Sequence, residues 1–245
     1  MNRKYRDVFY INANLAKNKF IYYGMEFNEF IKSIPRRLDN LLLLQPNGVG
    51  EKYHAKIKMN AMEGKSAIKE LAAMDIYKLG DFAWIDYNDS YNVENMSPME
   101  IADLLYLTHF EEPLHTIFFE KLSNQYVYLA HDDGWYCCLY CHQQEDFRDI
   151  IMNKITMTVT SITKTKVNSI GQEIGQKLLQ LSKDGLLVDF GNIMKNGIGK
   201  IEIPIYTIGK FTDMDSMYND LEKHKANAST QVQLVYNREK WLFDR

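Results

Sequence analysis

The sequence predicts an α+β protein, with a central antiparallel β-meander, flanking helices and a smaller C-terminal α/β portion. Three observations favour this class. Some segments repeat apolar residues at helical spacing, others alternate apolar and polar residues as strands do, and Asp133-Gly134 is a strong signal for a tight hairpin. We expect residues 1–163 to form the main α+β domain around the meander, and residues 164–245 to form the α/β portion packed on it.

Five segments carry apolar stripes at the spacing of an amphipathic helix. The stripes are Phe27, Phe30, Ile31 and Ile34; Ile68, Leu71, Ala72 and Leu79; Ile101, Leu104, Leu105 and Thr108; Ile170, Ile174, Leu178 and Leu181; and Met214, Met217, Tyr218 and Leu221. A capping box, Ser97-Pro98-Met99-Glu100, precedes the third stripe, and Pro35, Gly80 and Gly185 stop three of the others. We expect every stripe to pack on the core rather than to bind a cofactor.

Strands are predicted where apolar and polar residues alternate. The alternating segments are residues 53–59, 155–159, 201–205 and 232–236, and two further strands, Phe82–Tyr87 and residues 186–190, follow a helix and a glycine. Proline cannot donate to a strand ladder, so Pro204 predicts that residues 201–205 form the edge of a sheet.

The meander is predicted over residues 115–142. A two-residue turn at Asp133-Gly134 sets Ala130 opposite Cys137, and a second turn at Ser123-Asn124 would set His115 opposite Asp132. Polar side chains would then gather at the Asp-Gly end of a sheet that is otherwise apolar on both faces. The expected ligand-binding residues at this end are His115, His131, Asp132, Asp133 and Trp135.

A histidine beside a carboxylate can serve as an oriented base, or can simply tie two strands together. No nucleophile elbow accompanies the pair of His115 and Asp132, which favours the structural role. The same region offers an alternative metal site from His109, Glu112, His115 and Asp132. It lacks an H-E-x-x-H pattern, and Pro113 breaks the helix that would align the ligands, so we favour no metal and expect no cofactor.

Residues 138–142 read Cys-Leu-Tyr-Cys-His, which matches the pattern for covalent haem attachment. Neighbouring side chains of a strand point to opposite faces, so Cys138 and Cys141 could not hold one ligand together. We therefore predict that these two cysteines bind nothing and share no disulfide.

Several features favour a cytoplasmic location and no membrane partner. The three cysteines form no secreted disulfide framework, and the charged residues 1–7 lack the apolar region of an export signal. No apolar run approaches the roughly 20 residues that a membrane-spanning helix needs.

Charge is unevenly distributed along the sequence. Residues 79–153 contain 14 acidic and 2 basic residues, whereas residues 1–78 contain 8 acidic and 14 basic ones. Such an acidic segment repels phosphate backbones and disfavours nucleic acid as a partner. We expect the basic flanks to compensate the acidic segment in the fold, with a cation-binding or partner-binding face as the alternative.

Three segments carry a resemblance to a known family: residues 22–27 (Tyr-Tyr-Gly-Met-Glu-Phe), 81–86 (Asp-Phe-Ala-Trp-Ile-Asp) and 128–135 (Tyr-Leu-Ala-His-Asp-Asp-Gly-Trp). They resemble a family of soluble proteins from spore-forming bacteria whose members often carry the label "oxalate:formate antiporter". The similarity covers residues 5–150. The label does not fit this sequence, since an antiporter needs many membrane spans. The family brings no established activity, and so the resemblance implies no functional residue.

These observations predict a non-catalytic cytosolic binding or regulatory protein, with an unknown protein or small molecule as its partner. The alternative is a metal-assisted hydrolase that uses the His/Glu/Asp cluster, and the sequence leaves open whether the protein is an enzyme.

Overall fold

The computed structural model of the protein describes residues 7–44, 53–54, 57, 59–74, 81–109, 113–196 and 199–244. The chain divides into two compact units, here called unit 1 (Met1–Pro35 with Gln144–Arg245) and unit 2 (Arg36–Gln143). The boundary expected at residues 163 and 164 falls inside unit 1, at the end of a long helix. Antiparallel strands in a meander-like order, together with eight helices in the described residues, confirm the α+β class.

The strands and helices have the following bounds. The strands are β1 Val8–Asn14, β2 Lys19–Tyr23, β3 Asn40–Leu44, β4 Tyr53–His54, β5 Met59–Glu63, β6 Phe82–Tyr87, β7 Tyr126–His131, β8 Tyr136–Cys141, β9 Leu186–Asp189, β10 Met194–Asn196, β11 Lys200–Thr207, β12 Thr230–Asn237 and β13 Lys240–Asp244. The helices are α1 Phe27–Ser33, α2 Gly64–Ala73, α3 Ser90–Glu94, α4 Pro98–Thr108, α5 Gln144–Thr163, α6 Gln172–Leu181, α7 Met214–Asn219 and α8 Leu221–Ala226.

Unit 1 is a sheet with helices on both faces. Its strands lie in the order β13-β12-β11-β9-β1-β2, and β10 pairs with β11. On one face Phe20 of β2 stacks on Phe147 of α5, with ring centroids 3.6 Å apart. On the opposite face Tyr23 contacts Tyr218 of α7. Successive side chains of a strand alternate in this way, so β2 is apolar on both sides because both sides are covered.

Unit 2 holds the meander. Its strands lie in the order β8-β7-β6-β3-β5-β4, and β6, β7 and β8 are its consecutive antiparallel members. Trp84 of β6 stacks on Tyr128 of β7 with centroids 5.2 Å apart, and both side chains are fully buried. Burial of such large aromatic rings contributes much of the apolar stabilisation of a small core.

Within the residues described, each of the five predicted stripes falls mainly in helices, although Ile34 is the extended residue after α1 and Ile170 precedes α6. α4 begins with the predicted capping box, in which Ser97 accepts from the Glu100 N–H and Glu100 accepts from the Ser97 N–H. The fifth stripe spans two short helices, α7 and α8, and the end of the second stripe (Leu79 and Gly80) lies outside the described residues.

The strand predicted over residues 155–159 is wrong, because these residues lie within the 20-residue helix α5. The alternation of Ile155, Met157 and Val159 is accidental. The side chains that pack on the core recur every four residues along α5. They are Phe147, Ile151, Ile155 and Val159, all of them fully buried. Packing of this stripe overrides the weak preference of β-branched residues for strands.

Two other strand predictions need correction. Residues 53–59 belong to two strands, since β4 pairs antiparallel with β5 through Tyr53 and Asn60, and residues 55, 56 and 58 lie outside the described part of the chain. Pro204 is not at an edge, because β11 lies between β9 and β12. On the β9 side, β11 pairs with β10 up to Glu202 and with β9 from Ile205, so Pro204 occupies the change of partner, where no donor is needed.

Candidate functional site

The hairpin between β7 and β8 has the predicted register. Ala130 pairs with Cys137, and the Trp135 N–H donates to the Asp132 carbonyl at 2.9 Å. Asp133 and Gly134 have φ values of 53° and 80°, the left-handed conformation that such a turn requires. Because Asp132 also has a positive φ, regular pairing ends one residue earlier, at His131 and Tyr136.

The turn presents an acidic surface. Asp132 and Asp133 are exposed, and the Asp133 N–H donates to Oδ1 of the exposed Asp81 at 3.1 Å. The His131 ring stacks parallel to the Tyr136 ring, with centroids 4.8 Å apart. Of the expected ligand-binding residues, His131, Asp132, Asp133 and Trp135 thus lie together on this turn or directly beside it.

His115 is not the cross-strand neighbour of Asp132. Residues 115–120 form no strand, and β6 instead occupies the second edge of β7 through Phe82 and Ala130. Nδ1 of His115 lies 2.9 Å from Oδ1 of Asp103 in α4, a carboxylate that is only 6% exposed. The expected pair of His115 and Asp132 is therefore wrong.

A buried asparagine explains why residues 117–124 form a loop. Oδ1 of Asn124 accepts the Phe119 N–H at 2.7 Å, and Nδ2 of Asn124 donates to the Ile117 carbonyl at 3.2 Å. These bonds satisfy backbone groups that a strand ladder would otherwise use. The Ser123-Asn124 pair is thus part of a loop that is held from within, and it does not close a two-residue hairpin.

The residues that the structure describes do not assemble the alternative metal site. His109 is an exposed residue at the C-terminal end of α4, His115 contacts Asp103, and Glu112 lies outside the described residues. Across the part of the chain that the structure describes, no group of three or more His, Cys, Asp or Glu residues is placed to hold a metal ion.

The three cysteines are buried side chains of β8 without a disulfide. Cys138 and Cys141 are three positions apart in the strand and therefore lie on opposite faces. Sγ of Cys137 lies 3.0 Å from the Tyr128 hydroxyl on the neighbouring strand.

A groove in unit 1 has the form of a binding site that the sequence did not reveal. It lies between α6 and the strands β12 and β13, and its volume is about 660 Å³. Leu181, Val232 and Phe243 supply its apolar surface. Its remaining lining is polar or charged: Glu173, Gln176, Lys177, Gln180, Lys183, Asp184 and Thr230.

A second, more polar depression of about 390 Å³ adjoins the groove. Asp184 lines both, and Thr207 of the second depression is the cross-strand partner of Thr230 in the first. Oγ1 of Thr207 is buried and has no hydrogen-bond partner among the residues described. Ser229 and Asn227 add further hydroxyl and amide groups, and Lys210 adds a positive charge. The two depressions together place an apolar surface beside a polar one.

Charges around the groove are balanced. Nζ of Lys177 lies 2.7 Å from Oε1 of Glu173, and this bond lowers the pKa of the Glu173 carboxyl. Lys183 and Asp184 add one further charge of each sign. The groove therefore favours neither a strongly anionic nor a strongly cationic ligand.

Sequence reasoning missed the groove for an identifiable reason. Leu181 and Val232 belong to an apolar helical stripe and an alternating strand, and such residues usually lie in the core. Both are only partly buried here, where they line the groove between α6 and the strands β12 and β13. Periodicity shows which face of an element is apolar, and it does not show how far the covering layer reaches.

A buried ion pair lies on the opposite face of the unit 1 sheet. Nζ of Lys225 in α8 lies 2.6 Å from Oδ2 of Asp189, and Asp189 also accepts from the backbone and side-chain N–H groups of Asn192. Burial alone would lower the pKa of Lys225, but its hydrogen bonds to Asp189 and Glu222 outweigh burial and raise it. A lysine held in its charged form is unsuited to act as a nucleophile, which indicates a structural role.

None of the described helices is both long and apolar enough to cross a membrane. Neither a protein-family model, nor a curated protein, nor a solved structure matches the chain significantly. The family resemblance inferred from the three segments therefore stays a prediction.

Proposed function

We propose that the protein is a non-catalytic binding protein that holds a small amphipathic molecule in the groove beside α6. The observation that carries this proposal is that a groove with an apolar surface of Leu181, Val232 and Phe243 shares Asp184 with a more polar depression. Small-molecule sites typically have volumes of about 300–1,000 Å³, an apolar lining and a few polar groups that orient the ligand. The volumes of the two depressions lie in this range, and together they offer an apolar surface and several polar groups.

The chemistry of the lining indicates the class of ligand. An apolar chain or ring would cover Leu181, Val232 and Phe243, whose partial exposure to water is unfavourable. A neutral or zwitterionic head group would lie toward the polar depression, where the buried Thr207 hydroxyl could gain a hydrogen bond. The charges of the groove are balanced, and Lys210 adds only one positive charge at the polar depression, so we expect hydrogen bonding and apolar contact to dominate the affinity.

Calorimetric titration of the purified protein with n-octyl glucoside below its critical micelle concentration tests the proposal. We expect saturable binding at one site, and we expect Leu181→Gln to weaken binding about tenfold because it removes apolar contact area. The control is Ile162→Gln, which changes an exposed apolar residue of α5 outside the groove. Equal affinities of the wild-type protein and Leu181→Gln, or no saturable binding, would contradict the proposal.

The two site hypotheses from the sequence stay predictions with tests of their own. If the acidic turn binds the ligand, Asp132→Asn should weaken binding while Leu181→Gln leaves it unchanged. A stoichiometric divalent ion in the purified protein would favour the metal-assisted hydrolase.

A further inference from the structure

β13 is the outermost strand of the unit 1 sheet. Within the described part of the chain, its one strand neighbour is β12, which it meets in a hairpin that pairs Asn237 with Lys240. The turn residues Arg238 and Glu239 have φ values of 46° and 66°, as a two-residue hairpin turn requires. In such a hairpin the residues that flank the turn form a hydrogen-bonded pair, so the backbone groups of Lys240 point toward β12.

The directions of all the remaining backbone groups in β13 follow from this pair. Hydrogen-bonded and non-hydrogen-bonded pairs alternate along an antiparallel ladder, so Leu242 and Asp244 also bond to β12. Trp241 and Phe243 therefore direct their N–H and C=O groups outward, toward the edge of β13 at which no described strand is paired. An edge of this kind is a template for another strand.

The residues of β13 are complementary to a second, antiparallel copy of themselves. When two copies are centred on Leu242, Trp241 faces the partner's Phe243, and these are the residues with outward backbone groups. The same register sets Lys240 opposite the partner's Asp244, so opposite charges meet at both ends of the paired strands. A shift of the register by one residue would lose both the backbone bonds and the charge pairs.

We propose that two copies of this chain associate edge to edge through β13, around a two-fold axis at Leu242, and so extend the sheet from one protomer into its partner. The leucine side chain is 41% exposed in a single chain. In the dimer the two leucines form the central, non-hydrogen-bonded pair, in which side chains come closest. The interface is isologous, as in most homodimers, and it is small enough to predict a reversible, concentration-dependent association.

This proposal goes beyond the proposed ligand site, although the two are neighbours. Phe243 lines the groove, and its backbone groups would bond to the partner strand. The two ideas can fail separately, because ligand binding depends on Leu181 and dimerisation depends on the register of β13.

Sedimentation velocity of the full chain over a range of concentrations tests the dimer. We expect the wild-type protein to shift from monomer to dimer as concentration rises. Lys240→Asp and Asp244→Lys should each raise the dimer dissociation constant at least tenfold, because each sets like charges opposite one another at both ends. The double exchange, Lys240→Asp with Asp244→Lys, should restore dimerisation. A mixture of the two single variants should form the mixed dimer.

Lys69→Glu is the matched control, because it reverses an exposed charge on α2 and should leave the dissociation constant unchanged. Phe243→Pro removes an outward donor without removing a bond to β12, so it should abolish the dimer while the circular dichroism spectrum is retained. A wild-type chain that stays monomeric up to its solubility limit would overturn the proposal. So would a dimer that neither the single charge variants nor Phe243→Pro weaken.

Discussion

At the scale of single residues, Lys225 and Asp189 show how a buried charge can stabilise the position of a short helix. Their side chains are 9% and 2% exposed, and removal of one partner leaves the other charge buried and uncompensated. We expect Lys225→Met to lower the free energy of unfolding by about 3 kcal/mol, measured by urea denaturation. Lys223→Met on the same helix is the control, and this exposed residue should change stability by less than about 0.5 kcal/mol. Equal effects of the two variants would show that the ion pair contributes nothing.

Asp86 gives a second residue-scale prediction, which concerns pH. Burial raises the pKa of its carboxyl from 3.8 to about 6, although the N–H groups of Gln125 and Tyr126 donate to it. The folded state therefore binds a proton more tightly than the unfolded chain between these two values, and through this group stability rises as the pH falls toward 4. Relative to Asp86→Asn, the wild-type protein should gain about 1 kcal/mol of unfolding free energy between pH 7 and pH 5.

The comparison is made by urea unfolding of both proteins at the two pH values. The difference in stability between the wild-type protein and Asp86→Asn is free of the contributions of all other titrating groups, because both proteins share those groups. A difference in stability that is the same at pH 7 and pH 5 would contradict the raised pKa.

At the scale of elements, the structures that the sequence predicts well are those specified by local signals. The Ser97 capping box forms the start of α4 because its two hydrogen bonds join residues three apart. The Asp133-Gly134 turn sets the register of β7 and β8 because few residue pairs accept two positive φ values. At the site that the sequence predicts, His131, Asp132, Asp133 and Trp135 lie together for this same local reason.

The elements that the sequence predicts wrongly depend on distant partners. His115 would join the site if residues 115–120 paired with β7, but β6, about 45 residues earlier in the chain, occupies that edge. Likewise α5 contains an alternating segment, and only its packing against residues such as Phe20 selects the helical stripe. The groove beside α6 is lined by residues of one helix and of two strands that are distant from it in the sequence, and no local pattern encodes that packing.

At the scale of the whole molecule, the uneven charge of the sequence has a partial explanation in the fold. Both basic residues of the acidic segment pair within it, Lys121 with Glu100 and Arg148 with Asp149. From outside the segment, Arg36 acts on Asp86. Burial raises the pKa of the Asp86 carboxyl, and the positive charge of Arg36 partly opposes this rise. Unit 2 also includes basic residues that precede the acidic segment, among them Lys65 and Lys69 of α2. These residues support the expectation that the flanks compensate the acids, which stays a prediction.

Salt dependence tests this compensation. Added salt screens interactions between exposed charges, with a Debye length of about 10 Å at 0.1 M. If attraction between acids and flanking bases dominates, raising NaCl from about 0.05 M to about 0.5 M should leave the urea-unfolding free energy unchanged or slightly lower it. The double variant Lys65→Glu with Lys69→Glu makes unit 2 more acidic, so its stability should instead rise with salt. A wild-type protein that gains stability with NaCl would mean that the acids form an uncompensated surface, and a cation or a basic partner would then be the better expectation for unit 2.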